Sequence, residues 1–377
     1  MSKHFRTVQV QPGPEGAFAA LEAVHELFED EVSVALVPAG SAASLAAVDE
    51  SAPLHTDEPT LIVCTSGSTG QPRGVELTVT ALGEAAALSA MTLGSQSVWL
   101  AALPVTSIGG LNPLLRSALA GTAPVIWDGI GGAYSFEAEE FIAFMNATLV
   151  SARKQKLTSA ISLVPTQLHR LAGNADALAT LALIDHVLVG GGAVPAALAE
   201  QVTAAGVRLV RTYGSTETAG GVVYNATAFE GVSFEFDADQ RVTVQSPTLA
   251  HCYRDGEPIA ATGWRSSDRG ELVEGRLSIL GRVDDIIKVA GHNVDLKRVA
   301  AIAESVSGLD SCAVTSAEDA VYGRVPVIAV VGGIAADVEA AVRAGLEGLS
   351  IPLRVHELAA LPMLTNGKPD LIAIAAL

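Results

Sequence analysis

The sequence predicts an α/β protein with a large N-terminal α/β domain of layered sheets and a small β region, followed by a small C-terminal α+β domain. Over residues 33–210, short apolar runs alternate with helical stretches, a pattern typical of mostly parallel sheets covered by helices. From residue 222 to 280 the pattern changes to short strands and turns, and a compact strand–helix series follows. We therefore place the two domains at residues 1–283 and 284–377.

The predicted elements of the large domain follow in order. Helices are expected at residues 15–30, 81–93, 108–120, 137–146, 166–172 and 195–205, and strands at 33–38, 61–64, 98–104, 123–127, 161–164, 186–189 and 207–210. The first helix carries Phe18, Leu21, Val24 and Phe28 on one face. Ligands of such sheets bind at the carboxyl ends of the strands, so the segments that follow the strands are the candidate site.

Composition excludes several classes of function. The chain has 377 residues, of which 49% are apolar, which is enough for a large core. The net charge of −18 argues against binding to nucleic acid or to an anionic membrane, and no apolar run reaches membrane-spanning length. The three cysteines are widely spaced and suggest neither a disulfide framework nor a zinc site. With no signal-peptide core at the N-terminus, we expect a cytoplasmic protein that acts on small molecules.

A loop rich in glycine and hydroxyl residues follows the strand at 61–64. Backbone N–H groups in such a loop can surround an anion, and the hydroxyls add donors. Its candidate nucleotide-binding residues are Thr65, Ser66, Gly67, Ser68, Thr69 and Gly70, and Arg73 adds a fixed positive charge. The alternative is an ordinary polar surface loop. The segment lacks the Gly-Lys-Ser/Thr ending of a Walker loop and the glycine spacing of a dinucleotide fingerprint.

This ten-residue segment resembles the phosphate loop of the acyl-adenylate-forming superfamily, which includes acyl-CoA synthetases, peptide-synthetase adenylation domains and luciferases. The usual ending of that loop is Pro-Lys-Gly, whereas here it is Pro72-Arg73-Gly74. Because arginine keeps the positive charge, we expect phosphate binding to survive, and the resemblance implies a catalytic role for Arg73.

Two later segments extend the resemblance. Gly190, Gly191 and Gly192 lie between a strand and a helix, where the family places adenine and the acyl group. Alone, such a glycine-rich turn is a weak signal, since many strand–helix turns contain glycine.

The next segment contains Tyr213, Gly214, Ser215, Thr216 and Glu217. An aromatic ring can stack on adenine, and a carboxylate suits Mg²⁺. The alternative is a helix cap formed by Ser215 or Thr216, with Glu217 in the first turn. The resemblance implies that Tyr213 covers the adenine and that Glu217, together with Thr69, binds the metal.

Four further positions match motifs at the end of the large domain and beyond it. Asp268 resembles the carboxylate that accepts hydrogen bonds from both ribose hydroxyls, although a turn aspartate is the common alternative. The resemblance implies that Arg282 contacts the ribose and phosphate, that Asp284 is the hinge on which a mobile C-terminal domain rotates, and that Gly291 lies beside the pantetheine arm of coenzyme A.

Near the end of the chain, Gly367-Lys368 matches the catalytic lysine loop of the superfamily. A lone lysine is normally just solvated. The resemblance implies that Lys368 stabilises the charge that grows on the α-phosphate and the transferred carboxylate. The motifs run in the family's order from residue 65 to 370, and the chain is short for the superfamily on the N-terminal side of the phosphate loop.

Within the superfamily, residues 103–112 and 164–168 resemble segments of 2-succinylbenzoate–CoA ligases of menaquinone biosynthesis. Many members carry an aromatic–histidine pair where Thr106-Ser107 stands here. The resemblance implies that Ser107, Thr166, Gly190 and Gly191 line the acyl site. A second substrate carboxylate has three candidate partners, each equally open to a structural role, namely Arg116, His169 and Arg211.

The resemblance thus implies a ligase that uses ATP, Mg²⁺ and coenzyme A with an aromatic or acyl carboxylate. Two alternatives remain open: another adenylating enzyme, such as a different acid–CoA ligase or a carrier-protein charger, and a non-catalytic nucleotide-binding relative. A homodimer is also left open.

Overall fold

The structure is a computed structural model that describes residues 4–65, 72–133, 136–289, 292–346, 351–363 and 369–377. It confirms the α/β class. The chain forms two compact units. One contains Met1–Glu235, Thr243–Ser266 and Leu272–Ser278, and the other contains Phe236–Val242, Ser267–Glu271 and Ile279–Leu377.

The first unit contains a five-stranded sheet in the order β1-β2-β3-β4-β14. Its strands are β1 (Arg6–Val10), β2 (Val34–Pro38), β3 (Thr60–Thr65), β4 (Arg73–Thr78) and β14 (Cys252–Tyr253). The first three strands are parallel, whereas β4 runs antiparallel to both β3 and β14. Glu76 faces Cys252 and Val75 faces Tyr253 across the last pairing.

A seven-stranded sheet in the order β11-β10-β9-β8-β7-β5-β6 lies in the same unit. Its strands are β5 (Ser97–Ala101), β6 (Val125–Ile126), β7 (Thr158–Leu163), β8 (His186–Val189), β9 (Leu209–Ser215), β10 (Gly220–Tyr224) and β11 (Thr227–Ala228). The strands from β6 to β9 are parallel, and β10 and β11 add antiparallel pairs at one edge.

Helices cover these sheets and enclose the main apolar core. They are α1 (Pro14–Glu29), α2 (Ala42–Val48), α3 (Val79–Leu93), α4 (Ile108–Ala120), α5 (Ala138–Gln155), α6 (Pro165–Ala172), α7 (Ala175–Leu181) and α8 (Ala196–Ala204). Proline at the first position starts α1 and α6, where its missing N–H costs no hydrogen bond. Leu27, Leu61, Leu114 and Phe141 are fully buried in this core.

A four-stranded sheet in the order β12-β13-β15-β16 contains the small β region. Its strands are β12 (Ser233–Phe236), β13 (Arg241–Gln245), β15 (Trp264–Val273) and β16 (Arg276–Arg282). The division between the two compact units passes through these strands.

The second unit has its own sheet and core. The sheet has the order β18-β17-β20-β19, with β21 paired to β20. Its strands are β17 (Ile286–Val289), β18 (His292–Asp295), β19 (Ser311–Asp319), β20 (Gly323–Val331) and β21 (Arg354–Glu357), and its helices are α9 (Leu296–Glu304), α10 (Ala335–Gly345) and α11 (Leu371–Ala375). Val289, Val299, Ile328 and Val338 are fully buried in this core.

In the part of the chain that the structure describes, no helix is long and apolar enough to cross a membrane.

Candidate active site

Three segments meet at the carboxyl edge of the seven-stranded sheet. Because β5, β7 and β8 are parallel neighbours, the residues that follow their last positions lie along the same edge. Ser107, Thr166 and the glycines 190–192 all follow these strands. The residues that the sequence analysis named as acyl-site candidates therefore lie along one edge of the sheet, and their role in binding the acid stays a prediction.

The acyl-site candidates Gly191, Ser107 and Thr166 differ in backbone conformation, hydrogen bonding and exposure. Gly191 has φ +74°, a backbone conformation that glycine adopts without strain. The Ser107 hydroxyl donates to Pro104 O at 2.7 Å, so it is engaged locally. Thr166 is exposed in the first turn of α6.

The segment with Tyr213 and Glu217 forms a tight turn between β9 and β10 and does not start a helix. The helix-cap alternative is therefore wrong. The Thr218 hydroxyl holds the turn, since it accepts from Ser215 N at 2.9 Å and donates to Gly220 O at 2.6 Å. A Cβ at Gly214 would lie 1.9 Å from Gly220 O, so this turn requires glycine there.

Glu217 is a buried carboxylate at the end of this turn, with 8% of its surface exposed. Its Oε1 accepts a hydrogen bond of 2.9 Å from the Tyr253 hydroxyl. Within the described ranges, Oε2 accepts no hydrogen bond from the protein. Tyr253 therefore fixes one oxygen of the Glu217 carboxylate, and the other oxygen is left for a ligand. Mg²⁺ prefers oxygen ligands and is usually bound by one or two carboxylates together with substrate phosphates, so Glu217 fits the predicted role.

Arg73 also contacts Tyr253. Its guanidinium carbon is 3.6 Å from the centroid of the Tyr253 ring, a cation–π contact. Its Nη2 also pairs with Asp255 and Glu257, at 2.7 Å each. Burial alone would lower the pKa of Arg73, but the hydrogen bonds to Glu257 and Asp255 raise it above its ordinary value.

Tyr253 thus joins two residues that the sequence analysis singled out separately. Burial raises the pKa of Tyr253, and the carboxylate of Glu217 raises it further, so the hydroxyl stays a donor. Sequence reasoning missed Tyr253, Asp255 and Glu257. The available signal was an aromatic residue followed by charges at alternate positions, which is too common to indicate a site. We call Arg73, Glu217, Tyr253, Asp255 and Glu257 the Tyr253 cluster.

Two candidate residues of the second unit lie together. Asp268 is within β15 and so is not a turn residue, and Arg282 ends β16. Arg282 Nη1 is 3.9 Å from Asp268 Oδ1. The backbone of Asp284 lies in a short 3-10 turn, Val283–Asp285.

Several predicted site residues lie outside the described residues. They are Ser66, Gly67, Ser68, Thr69, Gly70, Gly291 and Lys368. Thr65, at the end of β3, is described, and its hydroxyl lies 3.4 Å from Arg73 O.

The three basic candidates for a second carboxylate separate in the structure. His169 and Arg211 are exposed, whereas Arg116 is buried in α4. Arg116 lines a cavity together with residues 95–97, at the amino end of β5 and therefore at the opposite edge from the glycines 190–192. Arg116 thus lies away from the predicted acyl-site residues.

A family described as "AMP-binding enzyme" matches residues 15–252, which is more than half of the chain. The chain belongs to this family.

Curated relatives of this chain within the family are acid–CoA ligases. A probable 2-succinylbenzoate–CoA ligase of Mycobacterium tuberculosis is 34% identical over 331 residues, covering 84% of each chain. A 2-succinylbenzoate–CoA ligase of Bacillus licheniformis is 29% identical and matches 74% of this chain and 61% of its own length.

Solved structures show the same fold. O-succinylbenzoate coenzyme A synthetase from Bacillus subtilis in complex with AMP has a TM-score of 0.75 at 22% identity, covering 97% of this chain and 87% of its own. ATP-bound MatB from Rhodopseudomonas palustris has a TM-score of 0.78 at 18% identity, and the match covers 100% of this chain and 89% of the MatB chain.

Proposed function

We propose that this protein is an ATP-dependent acid–CoA ligase that activates 2-succinylbenzoate through its acyl-adenylate, releasing pyrophosphate and AMP. The observation that carries the proposal is the Tyr253 cluster, in which a buried carboxylate and an arginine flank one tyrosine. The substrate rests on the relatives, since the 2-succinylbenzoate–CoA ligases include one that is 34% identical. A solved complex of the Bacillus subtilis enzyme contains ATP and magnesium, which fits this donor set.

In the first half-reaction, a carboxylate oxygen of the acid attacks the α-phosphorus of ATP and pyrophosphate leaves. Mg²⁺ held by Glu217 would supply positive charge to the phosphates. Tyr253 holds one oxygen of Glu217 by a 2.9 Å hydrogen bond and so orients the carboxylate. Arg73 places a second positive charge beside the same tyrosine, near the end of the phosphate loop.

In the second half-reaction, the thiol of coenzyme A attacks the acyl carbonyl and AMP leaves. The predicted roles of Lys368 in the first step, of Asp284 as the hinge and of Gly291 beside coenzyme A belong to the proposal. A cytoplasmic location likewise stays a prediction, and a homodimer stays open.

The first experiment is ATP–pyrophosphate exchange with 2-succinylbenzoate, benzoate, and short and long fatty acids. We expect exchange with 2-succinylbenzoate alone. Exchange with another acid instead would retain the adenylation chemistry and reject the substrate. Absence of acid-dependent exchange with any acid would favour the non-catalytic alternative.

A variant of Glu217 tests the chemistry. Glu217→Gln keeps an oxygen for Tyr253 but removes the charge, so exchange should fall by on the order of 10²-fold with an unchanged melting temperature. Exchange at the wild-type rate would remove Glu217 from the mechanism.

The predicted two-step use of the C-terminal domain has its own tests. Lys368→Ala should abolish adenylation and spare thioester formation from supplied acyl-adenylate, and equal loss of both would reject that role.

Asp284→Pro should slow mainly the second step, and normal CoA transfer would exclude Asp284 as the hinge.

A further inference from the structure

A cavity of about 240 Å³ lies between α3 and α4, at the amino end of β5. Its walls are mostly small or apolar. Ala86, Ala90, Leu93, Trp99 and Leu119 line it, and Arg116 contributes the charge. Parallel pairing of β5, β7 and β8 puts the proposed catalytic site at the other edge of the sheet, so the cavity is separate from it.

Arg116 is a buried cation, since only 9% of its surface is exposed. Few groups of the protein contact its guanidinium. Its Nη2 donates to the Tyr224 hydroxyl at 3.2 Å, and its guanidinium carbon lies 4.7 Å from the Trp99 ring centroid. The Nε is buried and, among the described residues, has no hydrogen-bond partner. No described carboxylate pairs with Arg116 either.

A buried charge is costly unless it is paired, and a guanidinium is suited to binding a carboxylate through two parallel hydrogen bonds. Tyr224, the neutral partner of Arg116, also shares a 2.9 Å hydrogen bond with Ser89. Besides the Trp99 ring, the described residues therefore offer Arg116 only a neutral partner and no carboxylate. An anion in the cavity would compensate the charge of Arg116, while the apolar walls would contact its hydrocarbon part.

We propose that this cavity binds a small, flat organic carboxylate, with Arg116 as its counter-ion. A volume of about 240 Å³ is below the usual range for drug-sized ligands, so the occupant has roughly ten non-hydrogen atoms. Trp99 and the alanines of α3 favour an aromatic or compact aliphatic body over a polar one. Benzoate is a suitable probe of this class.

The test uses full-length protein labelled with 5-fluorotryptophan. The chain has three tryptophans, and Trp99→Phe assigns the resonance of Trp99. Titration with benzoate should shift the Trp99 resonance in a saturable manner. Benzamide, which has the same shape without the charge, should bind at least about tenfold more weakly, the ratio expected for loss of a charge-assisted hydrogen bond.

Two variants test the placement. Arg116→Met keeps much of the side-chain bulk without the charge and should abolish the benzoate shift, and Arg116→Lys should restore part of it. Ala90→Leu leaves Arg116 in place and fills the cavity, so it should also abolish the shift. If Arg116→Met fails to fold, Ala90→Leu decides the question alone. An unmoved Trp99 resonance in the wild type, an equal response to benzamide, or a shift that persists in Ala90→Leu would each overturn the proposal.

Discussion

Two charged clusters lie on opposite faces of the β4–β14 pairing. They differ in how far their charged groups are saturated by hydrogen bonds within the protein. Successive side chains of a strand point to opposite faces, so Arg73, Val75 and Tyr253 face one way and Glu76 and Cys252 the other. The first face carries the Tyr253 cluster. The second face carries Glu76, His55, Cys252 and Arg254, which we call the Arg254 cluster.

The Arg254 cluster is closed. All five N–H donors of Arg254 are engaged, by Glu76 and by the carbonyls of Val48, Asp49, Ala52 and Pro53. Glu76 is fully buried and also accepts from His55 Nδ1 at 2.9 Å and His55 N at 3.1 Å. His55, Glu76 and Cys252 have the geometry of a metal-ligand trio, but Glu76 is already neutralised by Arg254. This cluster fixes the loop after α2.

The Tyr253 cluster is open by comparison. Arg73 is 35% exposed and pairs with carboxylates that are 60% and 62% exposed, and one oxygen of Glu217 has no hydrogen-bond partner among the described residues. Charges that are saturated internally stabilise a fold, whereas charges with remaining capacity can bind a ligand. The same short strand pairing therefore separates a cluster whose charges are saturated from one whose charges can still accept a ligand.

The largest effect should come from breaking the closed cluster. Arg254→Met would leave the buried carboxylate of Glu76 without its arginine partner and should lower the free energy of unfolding by about 3–5 kcal/mol. Urea denaturation measures the loss. The double variant Arg254→Met/Glu76→Gln should lose less, and Arg153→Met, at an exposed arginine of α5, is the control. A loss no larger than that of the control would show that the cluster is not structural.

Tyr253→Phe should separate activity from stability. Loss of one hydrogen bond should cost about 1 kcal/mol of stability. Because Tyr253 orients the carboxylate that is proposed to hold the metal, pyrophosphate exchange should fall by about 10- to 100-fold. Stability and exchange are measured on the same preparation. Full exchange in Tyr253→Phe would mean that the hydroxyl does not position Glu217.

Arg73→Met should have a smaller effect still on stability. Exposed ion pairs contribute about 0–1 kcal/mol, so the melting temperature should hardly change. The KM for ATP in the exchange assay should rise, and Arg73→Lys should retain most of the affinity because the family's usual residue there is lysine. An unchanged KM in Arg73→Met would place Arg73 outside the nucleotide site.

The last prediction is a pH dependence of the closed cluster, which is confined to alkaline pH. Burial, reinforced by the charge of Glu76, raises the pKa of the Cys252 thiol from an ordinary 9.0 to about 12. The folded protein therefore holds this proton more tightly, and the resulting stability is complete below the ordinary value and is lost as the pH rises towards 12. Denaturation curves between neutral and strongly alkaline pH should show a shallower loss in Cys252→Ala. Identical slopes would contradict the assignment.

The elements with strong periodicity were predictable from the sequence. The helix expected at 108–120 is α4 (Ile108–Ala120), and the strand expected at 186–189 is β8 (His186–Val189). The helix expected at 137–146 continues to Gln155, because polar residues on its outer face hid the later apolar positions. The strand β1 and the helices α2 and α7 were not predicted, since each is short and its sequence signal is local and weak.

The sequence by itself determined the α/β class, the order of the motifs and the edge of the sheet where the candidate residues gather, because hydrophobic period and chain order set which strands are parallel. Only the tertiary structure decided which charges are neighbours. Tyr253 and Glu217 are 36 positions apart, and Arg254 and Glu76 are 178 apart. Such pairs are created by strand pairing across the chain, and a side chain's partners decide whether its charge is saturated or remains available for chemistry.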